Sequence, residues 1–164
     1  MTEQTRSRRE ALAWLAAGVA VPVLAACGSS RAEAQTYRVS YSDAEWRRRL
    51  TPAQYAVLRQ EDTEPPYSSP LNDEHRRGTF LCAGCGNELY SSETKFESGT
   101  GWPSFYRPLP GAVGTKTDLK IGYPRTEVHC ADCGGHLGHV FRDGPRPTGL
   151  RYCMNGLALK FRPA

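Results

Sequence analysis

Two near-identical cysteine segments constrain the fold of this chain more than any other feature. Cys82-Ala83-Gly84-Cys85-Gly86 and Cys130-Ala131-Asp132-Cys133-Gly134 each consist of C-x-x-C followed by glycine. In this spacing both sulfurs of a tight turn can face one ion, and the glycine lets backbone N–H groups approach the thiolates. The 44 residues between the pairs mean that a shared ion would join two distant turns. We therefore predict one four-thiolate zinc site, with Cys82, Cys85, Cys130 and Cys133 as its ligands.

Two other interpretations of these cysteines stay open at this stage. In an oxidising compartment the four thiols would form disulfide bonds instead, and a single C-x-x-C pair can also serve as a redox couple. If zinc is bound, all four positions around the ion are filled by protein. Such a closed site is structural rather than catalytic.

The first 26 residues have the pattern of an export signal. Arg6, Arg8 and Arg9 precede an apolar run from residue 11 to residue 26, which is shorter than a bilayer span. The run ends at Cys27 in a segment that resembles the lipobox of bacterial lipoproteins, and its start resembles a twin-arginine signal. An uncleaved anchor helix is the alternative.

From this pattern we predict a signal peptide at 1–26, a flexible tether at 27–41 and a single domain at 42–164. The tether assignment rests on the small and polar residues that follow Cys27, the predicted lipidation site. The protein is expected to be an exported, membrane-anchored lipoprotein, extracytoplasmic in the periplasm or at the cell surface.

The charge balance argues against a nucleic-acid partner. Residues 1–26 contain three arginines and two glutamates, which leaves 18 basic and 15 acidic residues in the rest of the chain. This excess is small and does not argue for nucleic acid, for which a clustered basic face would be expected. We expect no nucleic acid and a monomeric protein.

The rest of the chain predicts a mainly β fold with a small helical part. Capping patterns at Ser42 and at Thr51-Pro52 predict two short helices, or one helix broken at Leu50. Residues 63–78 are rich in proline and small polar residues and predict a loop. Short apolar or aromatic runs then alternate with glycine and proline, which favours antiparallel sheets. The predicted strands are Thr79–Cys82, Glu88–Ser91, Asp118–Tyr123, Glu127–Cys130, Leu137–Phe141 and Tyr152–Phe161.

Cys153 is the candidate nucleophile. If Cys27 carries lipid and four thiols bind zinc, Cys153 is the remaining one of six cysteines. A strand at this point places Arg151, Cys153 and Asn155 on one face, so that a cation and an amide flank the sulfur. The alternative is a buried cysteine that packs as a small hydrophobic residue.

Two further segments carry residues suited to a reactive site. Gly99 to Phe105 sets Trp102 and Phe105 on a glycine-flanked turn, as the wall of an apolar pocket requires. His136 and His139 follow the second cysteine pair, but a spacing of three puts them on opposite faces of a regular strand. If both histidines serve one site, a β-bulge at Gly138 is expected. Each histidine could instead be structural, and Trp102 could belong to the core.

Together these segments resemble the methionine-R-sulfoxide reductase family. The resemblance rests on G-W-P-S-F, H-C-A-D-C-G-G-H-L-G-H-V-F and R-Y-C-M-N together with the earlier C-x-x-C, and covers about residues 43–161. It implies a β-tent-like fold of two antiparallel sheets with peripheral helices. It also implies a structural zinc, Cys153 as nucleophile, and a substrate methyl pocket at Trp102. His136, His139 and Asn155 would surround the sulfoxide oxygen, with Phe105 and Phe141 as further substrate contacts.

The chemistry of sulfoxide reduction suits these residues. The attacking sulfur must be a thiolate, and Arg151 or a nearby imidazolium could lower the ordinary cysteine pKa of about 8.5. His136 or His139 could protonate the departing oxygen as general acid. Methionine then leaves and Cys153 becomes a sulfenic acid.

The chain departs from the family pattern at Thr100. Many members carry a resolving cysteine just before G-W-P-S-F, where this sequence has threonine. We therefore expect an external reductant, either a thioredoxin-like protein or a small thiol, with oxidised proteins as substrate. The competing hypotheses are a zinc-stabilised binding or chaperone-like module without catalysis, and a thiol peroxidase that uses Cys153.

Overall fold

A computed structural model describes residues 36–164, and the predicted signal peptide and Cys27 lie outside the described residues. Two short helices precede nine strands. The helices are α1 (Asp43–Arg49) and α2 (Pro52–Gln60), and the strands are β1 (Gly78–Cys82), β2 (Glu88–Ser91), β3 (Lys95–Phe96), β4 (Ser104–Phe105), β5 (Val113–Asp118), β6 (Arg125–Cys130), β7 (His136–Phe141), β8 (Arg151–Met154) and β9 (Leu159–Pro163). Among these residues no helix is long and apolar enough to cross a bilayer.

The two helices begin where the capping patterns predict. Ser42 Oγ accepts a hydrogen bond from the Glu45 N–H, and Thr51 forms a reciprocal capping box with Gln54. Leu50 has extended backbone between the helices, so the pair is two helices rather than one. Helix α2 packs against β7 and against the 3₁₀ turn at residues 156–158.

The strands form two antiparallel sheets, as the sequence predicts. The smaller has the order β2-β1-β9, and the larger has the order β3-β4-β8-β7-β6-β5. Strands β8 and β9 are consecutive in sequence but belong to different sheets, so residues 155–158 cross between the sheets. Tyr90 and Phe105, both fully buried, stack with ring centroids 4.3 Å apart in the core between them.

Strand β7 contains the predicted bulge. Val128 of β6 pairs with Gly138, but the next residue, His129, pairs with His136, so Leu137 is an extra residue in β7. The bulge brings the His136 and His139 rings to 5.4 Å between centroids. A Cβ added to Gly138 would lie 2.1 Å from the carbonyl oxygen of Cys153, so only glycine permits this approach of β7 to β8.

Some sequence predictions need correction. Residues 119–123 form the exposed turn between β5 and β6 rather than a strand, and β5, β3 and β4 were not predicted. The predicted strand at 152–161 is two strands, because the chain leaves one sheet at Met154 to join the other.

The predicted tether also ends earlier than residue 41. Val39 donates a backbone hydrogen bond to the carbonyl of Asp132 at 2.8 Å. Arg38 forms an ion pair with the same aspartate, and Tyr37 lies over Gly134, where an added Cβ would lie 2.3 Å from its ring. Residues 37–39 therefore lie against the second cysteine turn. The predicted boundary between the signal peptide and the tether, at residues 26 and 27, stays a prediction.

Candidate functional site

The four cysteines of the two C-x-x-C turns form one cluster. Their sulfur atoms all lie within 4.8 Å of one another, with 3.8 Å between Cys82 and Cys133 and 3.6 Å between Cys85 and Cys130. Four thiolates held about 2.3 Å from one metal ion form a tetrahedron with edges of roughly 3.8 Å. The donor set and its spacing therefore fit a tetrahedral metal site.

Neighbouring groups stabilise the thiolate of Cys130, whereas hydrogen bonds within the same cluster raise the pKa of Cys82 and Cys133. Hydrogen bonds from the other thiols, Cys133 first, hold the pKa of Cys130 far below its usual value. The Asn87 side-chain amide also donates to Cys130 Sγ at 3.5 Å. Gly86 and Gly134 have φ of 81° and 67°, the left-handed conformation in which the chain can turn back after each pair.

Cys153 lies apart from the cluster, in the middle of the larger sheet. It is partly exposed on β8, between Ser104 of β4 and His139 of β7 in register. Met154 is fully buried in the core, so the alternation of the strand points Cys153 away from the core. The structure thus excludes a fully buried, packed thiol at this position.

A chain of hydroxyl groups ends at the Cys153 sulfur. Thr100 Oγ1 lies 3.7 Å from Cys153 Sγ, and Ser98 Oγ lies 2.8 Å from both Thr100 Oγ1 and Ser104 Oγ. A hydroxyl can donate to a thiolate, so this chain suits a charged sulfur. Ser98 and Ser104 were not predicted from the sequence, because a single serine carries no specific signal.

Trp102 and Asn155 are both tied to the backbone of Glu64. The Trp102 indole N–H donates to the Glu64 carbonyl at 3.1 Å, and the Glu64 N–H donates to Asn155 Oδ1 at 3.0 Å. The Asn155 amide N–H₂ in turn donates to the carbonyl of Leu137 at 3.2 Å. One residue of the predicted loop thus fixes two predicted site residues.

The Glu64 carboxylate also holds the crossing between the sheets. It is buried and accepts hydrogen bonds from the backbone N–H groups of Gly156 at 2.5 Å and Leu157 at 2.8 Å. This role was not predicted, because a glutamate in a polar loop is expected to be solvated until residues about 90 positions later fold over it.

His136 lies behind the cleft in a buried hydrogen-bonded group. Glu127, which is 2% exposed, accepts from His136 Nδ1 at 2.8 Å and from His129 Nδ1 at 3.0 Å. Burial favours the neutral acid, but the two imidazoles outweigh it and lower the pKa of Glu127 to about 2. A glutamate in the middle of a buried strand is a signal that sequence reasoning overlooked.

His139 lines the cleft, and its ring is held by a hydrogen bond to Asp118. Its Nε2 lies 2.8 Å from Asp118 Oδ2, and the same oxygen accepts from Arg125 Nη2 at 2.6 Å. Burial lowers the pKa of His139, although the Asp118 carboxylate opposes this shift. Asp118 was assigned to a strand and Arg125 to no element, so the sequence did not predict this group.

Arg151 is placed beside Cys153 but is paired elsewhere. Its guanidinium donates two hydrogen bonds to Asp143, at 2.9 and 2.7 Å, and lies over the Phe141 ring at 4.4 Å. The Asp143 carboxylate raises the pKa of Arg151, with the Cys153 sulfur as a weaker contributor. The cation therefore lies near the sulfur as predicted.

Phe105 was predicted to contact substrate, and the structure contradicts this. Phe105 is fully buried and pairs in register with Tyr152, on the face of the sheet opposite Cys153. Its ring packs edge-on against Phe80 with centroids 4.9 Å apart. The period-2 alternation of β4 sends Ser104 toward the cysteine and Phe105 into the core.

Five of the predicted residues line one cleft of about 120 Å³, whereas His136 and Arg151 are not part of its lining. Its lining comprises Thr63, Trp102, Arg125, Gly138, His139, Phe141, Cys153 and Asn155. An aromatic wall, a thiol, an imidazole and an amide thus share a small apolar cleft. This combination suits nucleophilic attack by sulfur on a small group whose oxygen accepts a proton or hydrogen bonds.

Comparison with known proteins assigns the chain to a family. Residues 50–163 match the SelR domain. The chain is 54% identical over 127 residues to a peptide methionine sulfoxide reductase MsrB of Leptospira interrogans, covering 77% of this chain and 97% of that protein. It is 58% identical over 129 residues to a protein of the same name in Leifsonia xyli, covering 77% and 93%. The identity to the Acinetobacter baumannii protein is 49% over 126 residues, covering 76% and 91%.

We expect Glu127 to stabilise the fold in a pH-dependent way. Its folded pKa of about 2 is below its ordinary value of 4.5, so its stabilisation is complete above pH 4.5 and is lost as pH falls toward 2. At about 1.4 kcal/mol per pKa unit, Glu127→Gln should reduce the free energy of unfolding near neutral pH by about 3 kcal/mol. Urea denaturation from pH 7 to pH 3 should show this difference shrinking with acidity.

The matched control is Glu88→Gln, which removes an exposed carboxylate paired with Arg162. This change should alter the free energy of unfolding by less than about 0.5 kcal/mol. A Glu127→Gln deficit that is the same at every pH would contradict the proposed linkage.

Proposed function

The chain belongs to the SelR-domain family, and we propose that it reduces methionine-R-sulfoxide in oxidised proteins to methionine, with Cys153 as the nucleophile. The observation that carries the proposal is the cleft in which Cys153, His139, Asn155 and Trp102 meet. Proteins of 49–58% identity bear the name of this reductase. The high coverage of those proteins supports transfer of the whole activity rather than of the fold alone.

Substrate binds with its methyl group against Trp102. The indole is oriented by its hydrogen bond to Glu64, so its face forms a fixed apolar wall of the cleft. Phe141 lines the same cleft and extends that wall. The sulfoxide oxygen then faces Asn155 and His139, which supply hydrogen bonds. This arrangement accepts one epimer, because exchanging methyl and oxygen would place the oxygen against the indole.

The chemical step transfers one oxygen atom from substrate to Cys153. The thiolate attacks the sulfoxide sulfur while an imidazolium gives a proton to the oxygen. The sulfur–sulfur bond formed by this attack and the substrate's sulfur–oxygen bond then break as the hydroxyl passes to the Cys153 sulfur. Methionine leaves with two electrons gained, and Cys153 becomes a sulfenic acid. Arg151 and the Thr100 hydroxyl lie beside the sulfur and stabilise its negative charge before attack.

Regeneration of Cys153 requires thiols from outside the chain. Within residues 36–164 the other cysteines are the four of the metal cluster. A first external thiol condenses with the sulfenic acid, releasing water and forming a mixed disulfide, and a second thiol resolves it. A thioredoxin-like protein supplies both thiols, and a small thiol supplies them one at a time.

We propose that the metal of the four-cysteine cluster is zinc and that it is structural. Tetrahedral four-thiolate sites are typical of zinc, and a site closed by four protein ligands leaves no position for substrate. The cluster joins the turn after β1 to the turn after β6, so the ion ties together the two sheets that bound the core.

The alternative of a zinc-stabilised binding module is not favoured. Such a module would need no common cleft for Cys153, His139 and Trp102, whereas these three residues line the same one. The peroxidase alternative shares the nucleophile and predicts activity on hydroperoxides instead of sulfoxides.

An epimer-resolved assay tests the proposed activity. With dithiothreitol as reductant, the wild type should reduce the R epimer of a methionine sulfoxide, and Cys153→Ser should lose at least about a thousandfold in rate because the nucleophile is gone. Zinc quantified on the same samples should be near one per chain in both proteins. A zinc-loaded wild type that is inactive on both epimers, or active only on hydroperoxides, would contradict the proposal.

Oxidation by one equivalent of substrate tests the need for an external thiol. Mass spectrometry should find one added oxygen on Cys153 in the wild type and no intramolecular disulfide. Thr100→Cys is the positive control: its sulfur would lie near Cys153 Sγ, so it should form that disulfide under the same treatment. A disulfide between Cys153 and a cluster cysteine in the wild type would rule out the proposed route.

We propose that the protein is exported and anchored to the membrane through lipid on Cys27. The basic residues, the apolar run and the residues before Cys27 support this. In cells labelled with a fatty acid, the wild type and Cys153→Ser should carry label and sediment with membranes, while Cys27→Ser should carry none. Unlabelled wild type in the soluble cell fraction would overturn the anchor.

A further inference from the structure

The candidate general acid, His139, is contacted by Asp118, which lies on a strand that is not adjacent to β7. Asp118 ends β5, whereas His139 lies on β7, and β6 lies between these strands. Two strand spacings correspond to about 10 Å, so the two side chains meet above β6 to form their 2.8 Å hydrogen bond. Both side chains are about nine-tenths buried, with 10% and 11% exposed. This contact is therefore a buried support for the cleft residue His139 rather than a surface ion pair.

The Asp118 carboxylate is fixed on both oxygens. Oδ1 accepts from the Lys120 backbone N–H at 2.8 Å, and Oδ2 accepts from His139 and from Arg125. Arg125 is also the register partner of Asp118 across the hairpin. The Lys120 N–H and then the His139 imidazole hold the pKa of Asp118 well below its usual range, so it is an anion at all working pH values. An anion of this kind only accepts hydrogen bonds.

We infer that Asp118 is a positioning residue, which keeps the proton of His139 on Nε2 and so makes Nδ1 the nitrogen that gives a proton to the sulfoxide oxygen. The inference rests on the proposed function. In the imidazolium form both nitrogens carry protons; Nε2–H stays with Asp118, and the Nδ1 proton passes to the oxygen as Cys153 attacks. His139 ends the step neutral, with Nε2–H still bound to Asp118, and regains its proton from solvent.

Asp118 and Arg125 shift the pKa of His139 in opposite directions. The carboxylate favours the imidazolium, whereas the guanidinium and the nearby His136 disfavour it. The titratable and charged groups that face His139 from its own and the neighbouring strands are Asp118, Arg125, Glu127, His136, Arg151 and Cys153. Removing Asp118 or Arg125 should therefore move the titration of His139 in opposite directions, which a loss of packing alone would not do.

The first test determines which ring nitrogen of His139 carries the proton in the neutral wild-type side chain. Nitrogen NMR of the zinc-loaded protein should show neutral His139 protonated at Nε2. Titration should then give a lower His139 pKa in Asp118→Asn and a higher one in Arg125→Met than in the wild type. Neutral His139 protonated at Nδ1, or shifts of the same sign in both variants, would overturn the inference.

The second test measures how the rate of the reaction depends on pH. The alkaline limb of kcat/KM for the R epimer should move to lower pH in Asp118→Asn and to higher pH in Arg125→Met, and Asp118→Asn should lose at least about tenfold at pH 8. Glu88→Gln, a distant carboxylate also paired with arginine, should leave the profile in place. If the wild type is active but neither variant shifts the pH profile, the inference about Asp118 is rejected and the proposed function is kept. An inactive wild type rejects the proposed function, while the NMR result still decides the tautomer.

Discussion

The clustering of four thiols at the junction of the two sheets is the interaction on which the rest of the structure depends. Cys82 ends the central strand of the small sheet and Cys85 lies in the turn after it, while Cys130 ends β6 of the large sheet and Cys133 lies in the turn between β6 and β7. An ion bound there closes a long loop and fixes the ends of the strands that carry the site histidines. The metal site and the reactive cleft are thus separate in space but joined through β6 and β7.

A second connection between the sheets depends on one buried carboxylate. The chain leaves β8 after Met154, the residue that follows Cys153, and crosses to β9. The Glu64 carboxylate holds this crossing by accepting hydrogen bonds from the backbone N–H groups of Gly156 and Leu157. The same residue orients Trp102 and Asn155 through its own backbone. Stability and site geometry are therefore coupled at this point, because the groups that complete the fold also set the walls of the cleft.

The cleft contains a sulfur nucleophile and His139, and a second histidine, His136, is buried behind it. His136 belongs to a buried group centred on Glu127, while His139 faces the cleft and is bound to Asp118. The bulge at Leu137 is what allows both rings to lie on one side of β7. Backbone irregularity is thus the means by which two histidines three positions apart lie next to each other.

The sequence by itself determined the pairing of the four clustered cysteines, the helix starts, the two-sheet class and most of the cleft, because these depend on local spacing, capping and strand alternation. It also indicated the bulge, from the conflict between histidine spacing and strand period. Only the tertiary structure decided that Phe105 lies in the core and that Glu64, Asp118, Arg125 and Glu127 support the site. Their roles arise from contacts between segments far apart in the chain, and a charged residue reads as solvated until such a contact buries it.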